Sequence, residues 1–160
     1  MTYSLGSRSL GNLAGVHPDL VRVVKRAIEL TAQDFGVAGK AVRTADEQHA
    51  LYLKGVTQKD GYKNKSNHQP HSDGAGHAVD LTPFINGSFD VNNEAAQYPI
   101  AVAMSLASKQ LGVPITWGGN WYEQLTGETV AAMRDNVRRY QVKHPGPDFI
   151  DLPHFQLRSA

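Results

Sequence analysis

The chain has 160 residues, no cysteine and a formal net charge of +1, with 41% hydrophobic and 19% charged residues. Such a length supports a single domain, residues 1–160, with its own core. The balanced charge excludes the strong field that would draw in nucleic acid or an acidic membrane. Disulfides and thiolate metal sites are excluded, and no run approaches the roughly 20 apolar residues of a membrane span.

The opening "MTYSLGSRSLGNLAGVHPDL" lacks a basic region followed by a continuous apolar segment. It is not a standard secretory signal, so the chain is expected to be made, and at first to stay, in the cytoplasm. "HPDLVRVVKRAIELTAQDFG" places Leu20, Val23, Val24, Ile28 and Leu30 near a 3.6-residue period, with Pro18 in the first turn and Gly36 after the end. The pattern predicts a helix. "GKAVRT" is expected to be a short strand. "TADEQHALYLKG" predicts a second helix, with Thr44 as N-cap, Glu47 three residues on and Gly55 as terminator. From Val56 to Gly76 the chain is polar and rich in Gly, Asn and Ser, the composition of a loop. "HAVDLTPFI" then alternates as a strand. "NNEAAQYPIAVAMSLASKQLG" reads as a helix that Pro99 should kink or begin. "VPITWGG" is a strand ending in glycines, "TGETVAAMRDNVRRYQV" a helix, and "DLPHFQLR" a closing strand. Irregular connections between these elements favour α+β over a doubly wound sheet.

Chemistry concentrates in "SNHQPHSDGAGHAVDLTPF", residues 66 to 84. Asp80, between Val79 and Leu81, is either an exposed strand residue or a carboxylate that must be paired or bound to a metal. The loop before it carries His68 and His71, either of which can fold back beside Asp80. His77 precedes Ala78 on the strand and should point away from Asp80, because same-face positions lie two apart. A histidine and an aspartate make two ligands, whereas catalytic zinc commonly takes three from the protein and leaves a position for water. Of the four histidines outside this stretch, His17 suits a helix cap, His49 a surface position on a helix with Ala50, Leu51 and Leu53 as its apolar face, and His144 a helix end. His154 differs, lying among apolar residues on the closing strand with Asp151 three positions before it. It is either the third ligand or a buried structural histidine. An acid beside a metal-binding histidine is what metal-assisted hydrolysis needs, since it can move a proton from water to a leaving amine.

Four segments together resemble a known family. "SNH…DGAGHAVDL" looks like the Ser-x-His…Gly-x-Ala-x-Asp signature of zinc D-Ala-D-Ala carboxypeptidases and phage L-alanyl-D-glutamate endolysins, which share the Hedgehog/DD-peptidase fold. "DLPHF" resembles the family's closing acid-x-x-His element, "AVRTADEQHALYLKG" its Arg-Thr-x-x-Glu-Gln segment, and "ITWGGNW" its Trp-Gly-Gly turn. The commonest signature has histidine three residues before the glycine, where this chain has Asp73, so the loop carries an insertion. His68 keeps the Ser66-x-His68 context.

The resemblance implies an α+β fold in which a small antiparallel sheet carries a zinc site, with helices packed on one side. It implies His68, Asp80 and His154 as zinc ligands and Asp151 as general base. Arg43 would stabilise substrate charge or an oxyanion, and Gln48 would hydrogen-bond substrate. Trp117, Gly118 and Gly119 would shape the cleft wall, with Trp121 and Tyr122 as either a platform or core. The implied substrate is the peptidoglycan stem peptide. The lack of a signal tilts the expectation to a monomeric endolysin that cuts L-Ala–D-Glu after release from the host cytoplasm at lysis. A D-Ala-D-Ala carboxypeptidase, a non-catalytic zinc-binding module and a metal-free protein are the rival readings.

Overall fold

A computed structural model describes residues 2–144 and 146–159. In chain order the elements are α1 (Ser7–Asn12), α2 (Pro18–Leu30), β1 (Phe35–Gly36), α3 (Ala45–Leu53), β2 (Ala78–Asp80), β3 (Thr82–Ile85), β4 (Ser88–Phe89), α4 (Glu94–Leu111), β5 (Ile115–Trp117), β6 (Asn120–Gln124), α5 (Val130–Lys143) and β7 (His154–Leu157). The expected α+β class holds, but the strands form two antiparallel sheets rather than one. One has the order β2-β7-β5-β6 and the other β1-β3-β4.

"HAVDLTPFI" supplies strands to both sheets. Ala78–Asp80 pairs with β7, while Thr82–Ile85 pairs with β1 and β4. The crossing point is Leu81, whose N–H donates to the carbonyl of Pro153 and whose side chain is fully buried. Asp80 is therefore the last residue of its strand, at the edge of the switch.

Helix α2 buries Leu20, Val23, Val24, Ala27 and Ile28, as its period requires, and α4 packs against it as well as against α5, β3 and β5. The core continues through Val79, Ile115, Trp117 and Phe155, so the inner face of the larger sheet closes on α4. No helix among the described residues is long and apolar enough to cross a membrane.

Several local expectations are corrected. Helix α2 ends at Leu30, and Gly36 is no terminator. It lies in β1, where a Cβ would come within 2.6 Å of Ser9 Oγ. "GKAVRT" forms no strand, because its backbone bonds go to different segments. Ala41 N–H donates to Asn12, and Arg43 N–H to His68. Pro99 does not begin α4, which starts at Glu94 under an Asn93 cap and carries Pro99 inside it. Strand β6 and helix α1 had no local signal strong enough to be expected. The apolar side of α3 is not its buried face either, since Leu53 is 72% exposed and Gln48 is fully buried.

The start of α3 does follow its sequence. Thr44 Oγ1 accepts from Glu47 N–H, and the Glu47 carboxylate accepts from Thr44 N–H, a complete capping box. This fixes the point at which Arg43 leaves the helix. Thr44→Ala should lower the unfolding free energy by about 1 kcal/mol, the usual cost of losing a cap. Urea denaturation with an unshifted midpoint would show that the cap contributes nothing.

Candidate metal centre and cleft

Strand pairing sets the first two residues of the site opposite each other. In the β2–β7 register Asp80 faces His154, and Val79 faces Phe155. Phe155 is fully buried on the core side, which turns its neighbour His154 the other way, toward the cleft. His68 arrives from the long loop after α3. Its carbonyl accepts from Arg43 N–H, and Asn67 beside it accepts from His77 N–H. The loop is thereby tied on both sides of the histidine. Long loops without regular structure inside compact domains are commonly functional.

The three side chains converge. His68 Nε2 lies 3.3 Å from His154 Nδ1 and 3.5 Å from Asp80 Oδ2. His154 Nδ1 lies 3.5 Å from Asp80 Oδ1. Among the described residues these form the one group of metal-ligating side chains whose ligand atoms all lie within 4.8 Å of one another. Both histidines are buried, and Asp80 is half-buried with its Oδ1 shut off from solvent and lacking a hydrogen-bond partner.

The proton positions follow from the outward contacts. His68 Nδ1 is 3.0 Å from the carbonyl of Ala41, an obligate acceptor, so Nδ1 carries the proton. His154 Nε2 is 2.8 Å from Gln156 Oε1. The two inward nitrogens then present lone pairs to each other and to an unpartnered carboxylate oxygen. That arrangement is relieved by a positive charge between them, either a proton shared with Asp80 or a metal ion. Two imidazoles and a carboxylate are a donor set that suits a borderline divalent ion such as zinc. Without an ion, burial works against the charge on Asp80, yet His154 and His68 hold its carboxyl well below the usual range. Burial likewise opposes the imidazolium of His154, but Asp80 leaves its pKa raised.

The site opens into a cleft of about 840 Å³ lined by Arg43, His68, Asp80, Asp151 and His154, by the Val56–Lys59 loop, and by Trp121, Tyr122 and Phe149. Asp151 stands outside the ligand group. Burial, and after it the charge of Asp80, push its carboxyl above the ordinary value, against the pull of His154, His68 and Arg43. Its backbone is clamped by the β5–β6 hairpin: Asp151 N–H donates to Gly118, and Gly118 N–H donates to His154.

Arg43 is held in place from two sides. Nη1 donates to Gln48 Oε1 at 3.0 Å, and Nη2 lies 3.4 Å from Asp80 Oδ2. The Gln48 amide also donates to Thr57 and to the carbonyl of Lys59. Gln48 has no face on the cleft, contrary to the expected substrate contact, because its amide is fully used inside the protein. Trp117 is also buried, donating Nε1–H to the Leu152 carbonyl, so it backs the cleft rather than facing it. Trp121 does face the cleft, with its ring 5.0 Å from that of His154 and its Nε1–H on the Phe149 carbonyl.

The remaining histidines of the long loop lie elsewhere. His77 Nε2 bonds Asp73 Oδ2 at 2.7 Å, and the His71 ring stacks on His77 at 3.7 Å. His17 stands 3.9 Å from Asp73, but its Nδ1 caps α2 by accepting from Asp19 N–H. The proton of a neutral His17 is then on Nε2, which is unfit for ligation. This second cluster docks the loop on the start of α2. His49 Nδ1 meets the Asp60 carbonyl, and His144 ends α5.

A family model described as phage L-alanyl-D-glutamate peptidase matches residues 1–157. The chain belongs to this family. A curated relative, the L-alanyl-D-glutamate peptidase of Escherichia phage T5, is 33% identical over 122 residues, covering 76% of this chain and 83% of the relative. Among solved structures, the L-Ala D-Glu endopeptidase ChiX of Serratia marcescens superposes with a TM-score of 0.67 at 29% identity, over 95% of this chain and 87% of that one. The likeness to ChiX, like the match to the phage peptidase family, spans nearly the whole chain, and residues 1–157 of the family match contain both sheets and the convergent His/Asp/His group.

The Trp-Gly-Gly turn gives a sharp test of how Asp151 is held. A Cβ on Gly118 would lie 2.0 Å from the Asp151 carbonyl oxygen, which is backbone and cannot swing aside. Gly118→Ala should therefore cost roughly 1–3 kcal/mol, the range for overpacking. Denaturation at the wild-type midpoint would mean that the hairpin does not clamp the Asp151 segment.

Proposed function

We propose that the protein hydrolyses the L-Ala–D-Glu bond of the peptidoglycan stem peptide, as a phage endolysin, with zinc as its metal. Membership of the phage L-alanyl-D-glutamate peptidase family and the names of its relatives support the activity. The observation that carries the metal reading is the convergence of His68 Nε2, His154 Nδ1 and an unpartnered Asp80 oxygen. His68, Asp80 and His154 would hold the ion. Bound there, zinc would polarise the scissile carbonyl and lower the pKa of water toward ~7.

The chain's own groups do the rest. Asp151 takes a proton from the attacking water as its oxygen bonds to the L-Ala carbonyl carbon. It then delivers that proton to the D-Glu nitrogen as the C–N bond breaks. Its carboxyl lines the cleft beside the ligand group, where burial favours the protonated form that the second half of this transfer needs. The guanidinium of Arg43, locked by Gln48 and Asp80, offsets the negative charge that develops on the carbonyl oxygen. Gln48 acts on substrate only through Arg43, and Trp117 only through the wall it supports. The described residues act as one catalytic unit and as a monomer, which reaches the wall from the host cytoplasm when the cell lyses.

Digestion of purified peptidoglycan, followed by mass spectrometry, tests the bond. Stem peptides with a new amino-terminal D-Glu are expected, with L-Ala left on the glycan. Products shortened only by a terminal D-Ala would establish a carboxypeptidase instead.

Separate variants test the roles. His68→Ala should lose zinc and activity while His71→Ala keeps both. Asp151→Asn should keep zinc yet lose activity by roughly 10²-fold or more, the scale of general acid–base catalysis. Zinc loss in Asp151→Asn would make Asp151 a ligand or its support.

A further inference from the structure

The two buried imidazoles have outward nitrogens anchored by different chemistry. His68 Nδ1 faces the Ala41 carbonyl, which can only accept. His154 Nε2 faces the side-chain amide of Gln156, which has an accepting end and a donating end. Were that amide turned over, its NH₂ would meet Nε2, and the ring proton would have to sit on Nδ1. The inward nitrogen would then point a proton at His68 and Asp80, and the metal would lose a ligand.

Asn67 opposes the turn. Its Nδ2–H donates to the same Gln156 Oε1, at 3.0 Å, so that oxygen accepts from Asn67 and from His154 together. Turning the Gln156 amide alone would set two NH₂ groups against each other, so the Asn67 amide would have to turn with it. The backbone of Asn67 is held in place, because its main-chain carbonyl accepts from His77 N–H at 2.8 Å, which keeps its side chain within reach of Gln156. Gln156 lies two residues beyond His154 on the same face of β7, paired with Ala78 on one side and Thr116 on the other. The contact therefore joins the two segments that bring the histidines, since Asn67 adjoins His68 and Gln156 stands beside His154.

We propose that Gln156, oriented by Asn67, is a positioning residue that holds His154 in the tautomer with Nδ1 free for the metal. The proposal rests on the metal reading given above. Outward partners of this kind fix ring orientation and tautomer in metal sites generally, and their removal weakens binding by about 10- to 100-fold.

The test measures metal affinity rather than turnover. Zinc dissociation constants are determined by competition with a chromophoric chelator for wild type, Gln156→Met, Gln156→Glu and Asn67→Leu. Thermal midpoints of the metal-free proteins are recorded in parallel. Gln156→Met, of similar length but without the acceptor, should bind zinc about 10- to 100-fold more weakly with a near-unchanged metal-free midpoint. Gln156→Glu, whose oxygens only accept, should bind at least as tightly as wild type, and Asn67→Leu should show a smaller loss. Wild-type affinity in Gln156→Met, or Gln156→Glu as weak as Gln156→Met, would overturn the proposal. Wild-type affinity in Asn67→Leu would remove Asn67 from it. A wild-type protein that takes up no zinc would defeat the metal reading and this proposal together, whereas zinc uptake with the wrong cleavage product would leave the proposal standing.

Discussion

The site depends on the antiparallel pairing of β2 with β7, which sets Asp80 directly across from His154. Directly opposed residues have Cβ atoms about 4.5–5.5 Å apart, which brings a carboxylate and an imidazole within reach of one ion. The register is held by burial, because Val79 and Phe155 face the core from the same two strands. A slip of one residue in either strand would carry an ionisable side chain into that core and a large apolar one into the cleft. Fold stability and site geometry are thus enforced by the same alternation.

Around that pair, each further component is brought in by backbone bonds from a different part of the chain. The Gly118 hairpin bonds to His154 on one side and to Asp151 on the other, so a single tight turn sets the spacing between these two residues. Arg43 N–H bonds to the His68 carbonyl, so the segment before α3 locates both the loop histidine and the guanidinium. The loop itself is docked at a distance, through Asp73, His77, His71 and His17, on the start of α2. These outer histidines are polar packing, and their ring contacts keep them apart from the group that His68 forms with Asp80 and His154.

The interior of the site runs against ordinary folding preferences. A buried carboxylate oxygen with no hydrogen-bond partner, two imidazole nitrogens 3.3 Å apart and an acid whose pKa burial raises are crowded into one place. Such local conflicts are characteristic of functional sites, where the surrounding structure holds groups that would separate if free. Here the holding elements are the buried Gln48, Trp117 and Phe155, none of which lines the cleft. Their role is to leave Arg43, the cleft wall and His154 with one available position each.

Periodicity and capping made much of the helical structure legible. Leu20, Val23, Val24 and Ile28 mark the buried face of α2, and Thr44 with Glu47 marks the start of α3, because these signals act between residues three or four apart. The site triad was legible too, but through motif resemblance, since nothing in the spacing of His68, Asp80 and His154 says that they meet. Only the tertiary structure decided that "HAVDLTPFI" divides at Leu81 between two sheets, that "GKAVRT" bonds to loops instead of forming a strand, and that Gln48 turns inward to hold Arg43. It alone brought Asn67 and Gln156 together behind His154. Each of these outcomes depends on which distant segment supplies a hydrogen-bond partner, and a residue's local sequence carries no record of that partner.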